Sequence, residues 1–418
     1  MNNKKLIRDN YTIHIVNTDR FKSVDMVIYF TRKFNKNNIP FYSSLIQNMV
    51  YTSKKYDTKN KIAIRGEELY GAYLGTSFDV IGDLEHFVIN INFLNSKYTD
   101  DKYYNESVDF LFEILLNPNV SDNKFNSKYF NIVKNDIITS IKATKDSPGE
   151  YSRIEFNKLM YKGTPQGYNL KPTIEEIEEV NEANLYEFYN NLFNGDYKID
   201  IVLLGDIENI DISYIDNKMQ GIKGNNKKLN IFNKVNYEKK TIEKIDSLHF
   251  NQSKLYMGYR LDELTDYELR YVIRLYNTIL GSMNNSILFK TVREDNSLCY
   301  SIGSYYSRYS KSLTIYSGIN KDNYDKTVKL IKECVESMGD INIISKYLMS
   351  AKKTINTFLN NYYDDAFSQL NERYMNEFDD VIDVEKLREI YNSITEEEIV
   401  ALNERIKLSV VYLLKGDN

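Results

Sequence analysis

The sequence predicts an α+β fold made of two homologous domains, each a mostly antiparallel sheet packed against helices. Strand-like and helix-like segments follow one another in the same order in both halves of the 418-residue chain. Matching segments lie about 220–230 residues apart, which is typical of an internal duplication. A chain of this length can also bury two separate cores.

Each copy starts with an apolar-alternating segment typical of a half-buried strand, SVDMVIYF at 23–30 and SKLYMGYR at 253–260. A helix-like run, an acidic helix end, a turn, two strand candidates and a helix follow in both halves. The matching pairs are FYSSLIQNMVYTS with LRYVIRLYNTILGS, RGEELYGAYLGTSFDV with REDNSLCYSIGSYYSR, HFVININF with SLTIYSGI, and YYNESVDFLFEILLN with NYDKTVKLIKECVES. We therefore expect two copies of one fold that face each other as a half-shell.

Long helical runs complete each copy, among them TIEEIEEVNEANLYEFYNNLF in the first. The first copy closes with the strand candidate KIDIVLLGDI and the second with IKLSVVYLLKGD. The stretch between them is rich in Lys and Asn and has no apolar period, which is typical of a linker. The sequence thus predicts an N-terminal domain at 1–222, a linker at 223–245 and a C-terminal domain at 246–418.

Composition excludes several classes of function. The net charge of −5 argues against binding to nucleic acid. No run of about 18 apolar residues predicts a membrane span, and the first residues have no stretch typical of a signal peptide. Two cysteines cannot form a disulfide framework, so we expect a cytoplasmic protein. The three histidines, His14, His86 and His249, are dispersed, and we interpret the LEH at 84–86 as a strand edge.

Several motifs taken in order resemble the pitrilysin/insulinase family of zinc metallopeptidases, in particular its short two-domain members. They are LYGAYLGTSFDVIGDLEHFVI, YKGTPQGYNLKPTIEEIEEVNEANLYEFYNNLF and IVLLGD in the first half, and NSILFKTVREDNSLCYSIGSYY in the second. Active members carry H-x-x-E-H on a helix, in which two His bind zinc and the Glu activates water, and a later helix supplies a further Glu ligand.

The matching zinc-site positions are degenerate in this chain. The helix SSLIQNMVY places Ser44, Gln47 and Asn48 where the motif has His, Glu and His, and the later Glu position falls near Asp136. A hydroxyl and an amide cannot replace two imidazoles, and an amide cannot act as a base. We therefore expect that this chain binds no metal and has no catalytic residues of its own.

The resemblance also implies a substrate-binding pair, Arg293 and Tyr300, which in active members reaches the zinc of the facing half. An Arg presents a fork of donors suited to a peptide carbonyl or carboxylate. A Tyr hydroxyl can donate to the oxyanion that forms during peptide hydrolysis. Each residue also has an ordinary structural explanation, since a charged helix end and a single Tyr among 36 are both commonplace.

The leading hypothesis is a non-catalytic subunit of a heteromeric zinc peptidase, inactive alone. A homologous subunit with H-x-x-E-H would supply the zinc, and the substrate would be a peptide, for example one made by the ribosome and then processed. The alternative is a catalytically dead scaffold or peptide-binding module. An independent hydrolase lacks any suitable cluster of residues in this sequence.

Overall fold

The computed structural model describes residues 2–99, 103–207, 210–235 and 237–416. No helix among these residues is both long and apolar enough to cross a membrane. The strands are β1 (Asn2–Ile7), β2 (Thr12–Asn17), β3 (Ser23–Lys33), β4 (Tyr73–Ile81), β5 (Leu84–Leu94), β6 (Val120–Ser121), β7 (Lys124–Phe125), β8 (Asn194–Gly205), β9 (Lys223–Asn225), β10 (Ile242–Leu248), β11 (Ser253–Arg260), β12 (Cys299–Ser307), β13 (Ser312–Ile319) and β14 (Lys407–Gly416).

The helices surround these strands. They are α1 (Ile39–Tyr51), α2 (Lys59–Glu68), α3 (Tyr103–Leu116), α4 (Ser127–Ala143), α5 (Pro148–Met160), α6 (Ile174–Glu178), α7 (Glu182–Asn190), α8 (Ile212–Lys218), α9 (Ile273–Asn277), α10 (Tyr324–Ser337), α11 (Ile341–Asn361), α12 (Ala366–Met375), α13 (Val384–Ser393) and α14 (Glu396–Asn403). Wider π-helical turns flank α9 at Glu268–Val272 and Thr278–Ser282, and another spans Phe289–Glu294.

The two main sheets share a five-stranded topology, to which the first sheet adds β1 and β9. The first follows the order β1-β2-β8-β3-β5-β4, and the second follows β10-β14-β11-β13-β12. The pair β2 and β8 is parallel, as is the pair β10 and β14. The pairs that follow in each order, from β8 to β4 and from β14 to β12, are antiparallel. The α+β class and the duplication predicted from the sequence are therefore confirmed, whereas the half-shell arrangement stays a prediction.

The chain forms two compact units, and each unit includes a segment from the other half of the sequence. The first unit consists of residues 1–143, 170–231 and 362–381, and the second consists of the remaining segments, 144–169, 232–361 and 382–418. In the first unit α12 packs on β2 and β8, and in the second α5 packs on β11 and β14. The boundaries 1–222, 223–245 and 246–418 remain a prediction about the duplication. That prediction used continuous domains and did not include the segments that each half contributes to the other unit.

The structure adds detail to three local expectations. TIEEIEEVNEANLYEFYNNLF does not form one helix, because Asn181 accepts hydrogen bonds from the next turn and begins α7 anew. The predicted linker contains β9 and enters β10. The LEH at 84–86 forms the beginning of β5, in agreement with a strand edge, and β5 itself lies between β3 and β4.

Candidate functional site

The helix expected to carry zinc ligands is α1, whose first turn contains Pro40 and whose apolar side faces the core of the first unit. Ser44 and Asn48 lie one helical turn apart and both are buried. The Asn48 amide donates a 2.9 Å hydrogen bond to the Ser44 carbonyl, so its polar group is used within the helix. Gln47 is half-buried.

Asp136 lies on α4, which packs against α1. The Tyr51 hydroxyl at the end of α1 donates to the Asp136 carboxylate over 2.9 Å, and this hydrogen bond raises the pKa of Tyr51. The structure thus brings Asp136 to the helix that carries Ser44 and Asn48. A single carboxylate beside a hydroxyl and an amide does not provide the three His, Cys or carboxylate ligands of a catalytic zinc site, so these residues do not fit the metal.

Among the described residues, His14, Asp200 and Glu377 of the first unit bring three potential ligand atoms within 4.8 Å of one another. The Lys198 ammonium already lies between the two carboxylates, 3.1 Å from Asp200 and 3.0 Å from Glu377. Burial lowers the pKa of Lys198, but the two carboxylates raise it by more, so that the net change is an increase. An internal cation therefore already pairs with both carboxylates of this cluster.

The same unit buries His86 next to the exchanged helix α12. The Tyr374 hydroxyl lies 2.5 Å from His86 Nδ1 and also bonds Thr31 Oγ1. The Tyr374 ring stacks on Tyr29 with centroids 3.7 Å apart. His86 Nε2 has no hydrogen-bond partner among the described residues. Burial lowers the pKa of His86 to about 3, so the imidazole is neutral and serves to hold α12 on the sheet.

Arg293 and Tyr300 come together in the second unit, one on each side of a tight turn. Arg293 lies in the π-helical turn Phe289–Glu294. The chain then reverses through Ser297, which has a φ of 52°, and the Leu298 amide bonds the Val292 carbonyl over 3.1 Å. The Arg293 guanidinium lies 5.9 Å from the Tyr300 ring centroid and 4.6 Å from that of Phe289.

A β-bulge directs the Tyr300 side chain away from the sheet. Cys299 pairs with Ile319 and Ser301 pairs with Gly318, so Tyr300 is the extra residue on the edge strand β12. Bulges commonly re-aim a side chain in this way. The Tyr300 side chain is 80% exposed.

The pair offers donors and no competing internal acceptor. Arg293 is exposed and makes no ion pair with another described residue. Burial raises the pKa of the neighbouring Cys299 thiol, which disfavours the thiolate. Sequence reasoning found this pair through its spacing, but it missed the bulge and the tyrosines further along β12 and β13. The alternation in GSYYS was the available signal for those tyrosines.

Comparison with known proteins finds similar chains and a matching family model. Residues 179–354 match the family model described as the peptidase M16 inactive domain. The chain is 24% identical over 422 residues to the "Probable inactive metalloprotease YmfF" of Bacillus subtilis, and the match covers 100% of this chain and 98% of that protein. It is 25% identical over 313 residues to the "Uncharacterized zinc protease YmxG" of the same organism, with 73% of each chain covered.

A solved structure agrees in fold. The structure of a conserved protein from Enterococcus faecalis V583 superposes with a TM-score of 0.92 at 23% identity, covering 100% of this chain and 99% of that one. Fold and site together define a metalloprotease-like protein whose helix α1 lacks the ligands of the zinc motif. The resemblance inferred from the sequence is confirmed: the chain is similar to inactive-type members of the pitrilysin, or peptidase M16, family.

Proposed function

We propose that this chain is the non-catalytic subunit of a heteromeric zinc peptidase and works with a homologous, zinc-bearing H-x-x-E-H subunit. The observation that carries the proposal is the contrast between two sites. Ser44, Gln47 and Asn48 supply no metal ligand, whereas Arg293 and Tyr300 lie together, exposed, with their donors free.

The chemistry of the pair suits a peptide that is held for cleavage by another subunit. Arg293 can donate two parallel hydrogen bonds to a substrate carbonyl or carboxylate. Tyr300 can donate to the carbonyl oxygen as negative charge develops on it. The turn and the bulge hold both side chains on one rigid edge, which favours a preorganised role.

The relatives support the pairing. One organism contains both a protein named as a probable inactive metalloprotease and one named as a zinc protease, and each is similar to this chain. We propose that the complex is cytoplasmic and acts on peptides, with the processing of a ribosomally made peptide as one example. By this proposal the chain alone has no peptidase activity.

The test combines this chain with a homologous subunit that carries H-x-x-E-H and measures cleavage of short peptides. Tyr300→Phe should lower the rate by about 10²–10³-fold, because one oxyanion donor is lost. Arg293→Ala should weaken peptide binding as well as turnover, because a bidentate contact is lost. Neither exposed residue is needed for folding.

Tyr267→Phe is the matched control, because Tyr267 is another exposed tyrosine of the second unit, 42% exposed. Gel filtration must first establish that each variant still enters the complex. Unchanged rates for both Tyr300→Phe and Arg293→Ala in intact complexes would contradict the proposed role and favour the scaffold alternative. Cleavage by this chain alone, abolished by a chelator, would contradict it as well.

A further inference from the structure

A row of tyrosines crosses the second sheet and is only partly covered. The strand register places Tyr412, Tyr256 and Tyr316 directly opposite one another on β14, β11 and β13. Gly303 occupies the next position of the row, on the edge strand β12. Because residues opposite one another point to the same face, the three rings lie on one side of the sheet.

Helix α5 covers the row from one end only. Tyr412 is fully buried, and Phe156 of α5 stacks on Tyr256 with ring centroids 5.1 Å apart. Beyond β11 the cover ends, so that Tyr316 is 41% exposed and Tyr305 of β12 is 39% exposed. Their ring centroids lie 6.1 Å apart. The open end of the row is therefore an exposed aromatic pair.

Gly303 gives this pair its shape. A Cβ at Gly303 would lie 2.8 Å from the Tyr316 hydroxyl oxygen, so a larger residue there would displace the Tyr316 ring from its position over the edge strand. The Tyr316 and Tyr305 rings and the bare backbone of Gly303 form a shallow platform beside the last strand. We call this surface the tyrosine platform.

An unpaired positive charge borders the tyrosine platform. Arg153 lies on α5, is exposed and makes no ion pair or hydrogen bond with another described residue. Burial raises the pKa of both Tyr256 and Tyr305, and the charge of Arg153 partly offsets this effect at each hydroxyl. Arg153 lies one helical turn before Phe156, whose ring stacks on Tyr256, and no carboxylate among the described residues forms an ion pair with it.

We propose that the tyrosine platform and Arg153 form a subsite for an aromatic side chain adjacent to a carboxylate in a bound peptide. Tyrosine faces stack with an aromatic ring, and a free guanidinium favours a carboxylate. The subsite also continues the Arg293–Tyr300 site along β12. Tyr300 and Tyr305 are five residues apart, or about 17 Å on an extended strand, so one extended peptide can reach both.

This inference deepens the proposed function and rests on it for the identity of the ligand as a peptide. Its test measures binding to this chain alone, by fluorescence anisotropy, and needs no cleavage. The probes are labelled, unstructured peptides of Gly, Ser and Thr that contain one Phe-Asp or one Phe-Asn pair. A second set ends in Phe with either a free carboxylate or an amide.

We expect the Phe-Asp peptide to bind about twofold to fivefold more tightly than the Phe-Asn peptide, as an ion pair with an exposed guanidinium would give. Arg153→Gln should abolish that preference. Tyr316→Ala should weaken the Phe peptides about twofold to tenfold, the range of one aromatic pair, whereas the control Tyr267→Ala should not. A gain confined to the free-carboxylate peptide would identify a chain terminus as the source of the carboxylate.

The inference is wrong if neither peptide set shows a carboxylate preference, or if the preference survives Arg153→Gln. Its failure differs from failure of the proposed function. If Arg293→Ala lowers the affinity for all peptides alike while Arg153→Gln changes no affinity, the Arg293–Tyr300 site is supported and the proposed subsite is wrong. If Tyr300→Phe leaves cleavage by the complex unchanged while the Phe-Asp preference depends on Arg153, the subsite stands without the proposed catalytic role.

Discussion

Acid should destabilise the first unit through His86, and the structure sets the size of the effect. The pKa of His86 is about 3 in the folded protein and 6.5 in the unfolded chain. Below the higher value only the unfolded chain takes up the proton, so this stability is present above about pH 6.5 and is lost as the pH falls. Between about pH 7 and pH 5 the loss is about 2 kcal/mol.

The perturbation that isolates this effect is His86→Gln. Glutamine keeps a hydrogen-bonding group near Tyr374 but cannot be protonated, so the variant should lose about 2 kcal/mol less than the wild type over the same range of pH. The free energy of unfolding is measured in urea by far-UV circular dichroism at several pH values. Tyrosine fluorescence is a second probe, since the chain has 36 Tyr and no Trp.

His249→Gln is the control. His249 is an exposed histidine of the second unit, and its removal should leave the pH dependence of the wild type in place. If the two units unfold in separate transitions, the loss of stability at low pH should appear in the transition whose pH dependence is changed by His86→Gln. Equal losses in wild type and His86→Gln would refute the reasoning, because the buried imidazole would then not be the group that takes up the proton.

Two further predictions concern the first unit. The purified chain should contain no zinc at α1, and elemental analysis that finds one zinc per chain, lost on replacing Ser44 or Asn48 by Ala, would contradict this. Lys198→Met should cost about 3–5 kcal/mol in urea unfolding, because it leaves Asp200 as an uncompensated buried charge, whereas the control Lys5→Met, at a side chain 40% exposed, should cost less than about 1 kcal/mol. An equal loss of unfolding free energy for Lys198→Met and Lys5→Met would show that burial of an ion pair does not determine its contribution to stability.

The fold was predictable where one side of a segment is apolar. The strands predicted at 253–260 and 312–319 coincide with β11 and β13. The first half of β11 alternates between buried and half-buried positions, and β13 is a buried segment in which only Tyr316 is exposed. Strand β2 was missed because it lies between β1 and β8 and is buried on both faces, which removes the alternation. Strand β10 does alternate, but its Glu, Lys and Asp residues resemble a linker.

The candidate site was predictable only in part. The spacing of Arg293 and Tyr300 follows from a turn between helix and strand, which the sequence indicates. The bulge that exposes Tyr300 depends on how β12 pairs with β13, and no pattern within β12 specifies a partner's register. The row of Tyr412, Tyr256 and Tyr316 joins residues of three strands that are distant in the sequence, so periodicity within one segment could not reveal it.

The exchanged segments determine when each unit can be completed during synthesis on the ribosome. The first unit needs residues 362–381, so it stays incomplete until 381 of the 418 residues have been made. After residue 231, a further 150 residues must be added before α12 can cover β2 and β8. This takes about 8–30 seconds at typical rates of synthesis. During that time Asp200 and Lys198 lack Glu377, and a sheet meant to be covered is open to chaperones and to other nascent chains. A gene divided at the predicted linker would produce two polypeptides, each missing a helix that the other holds.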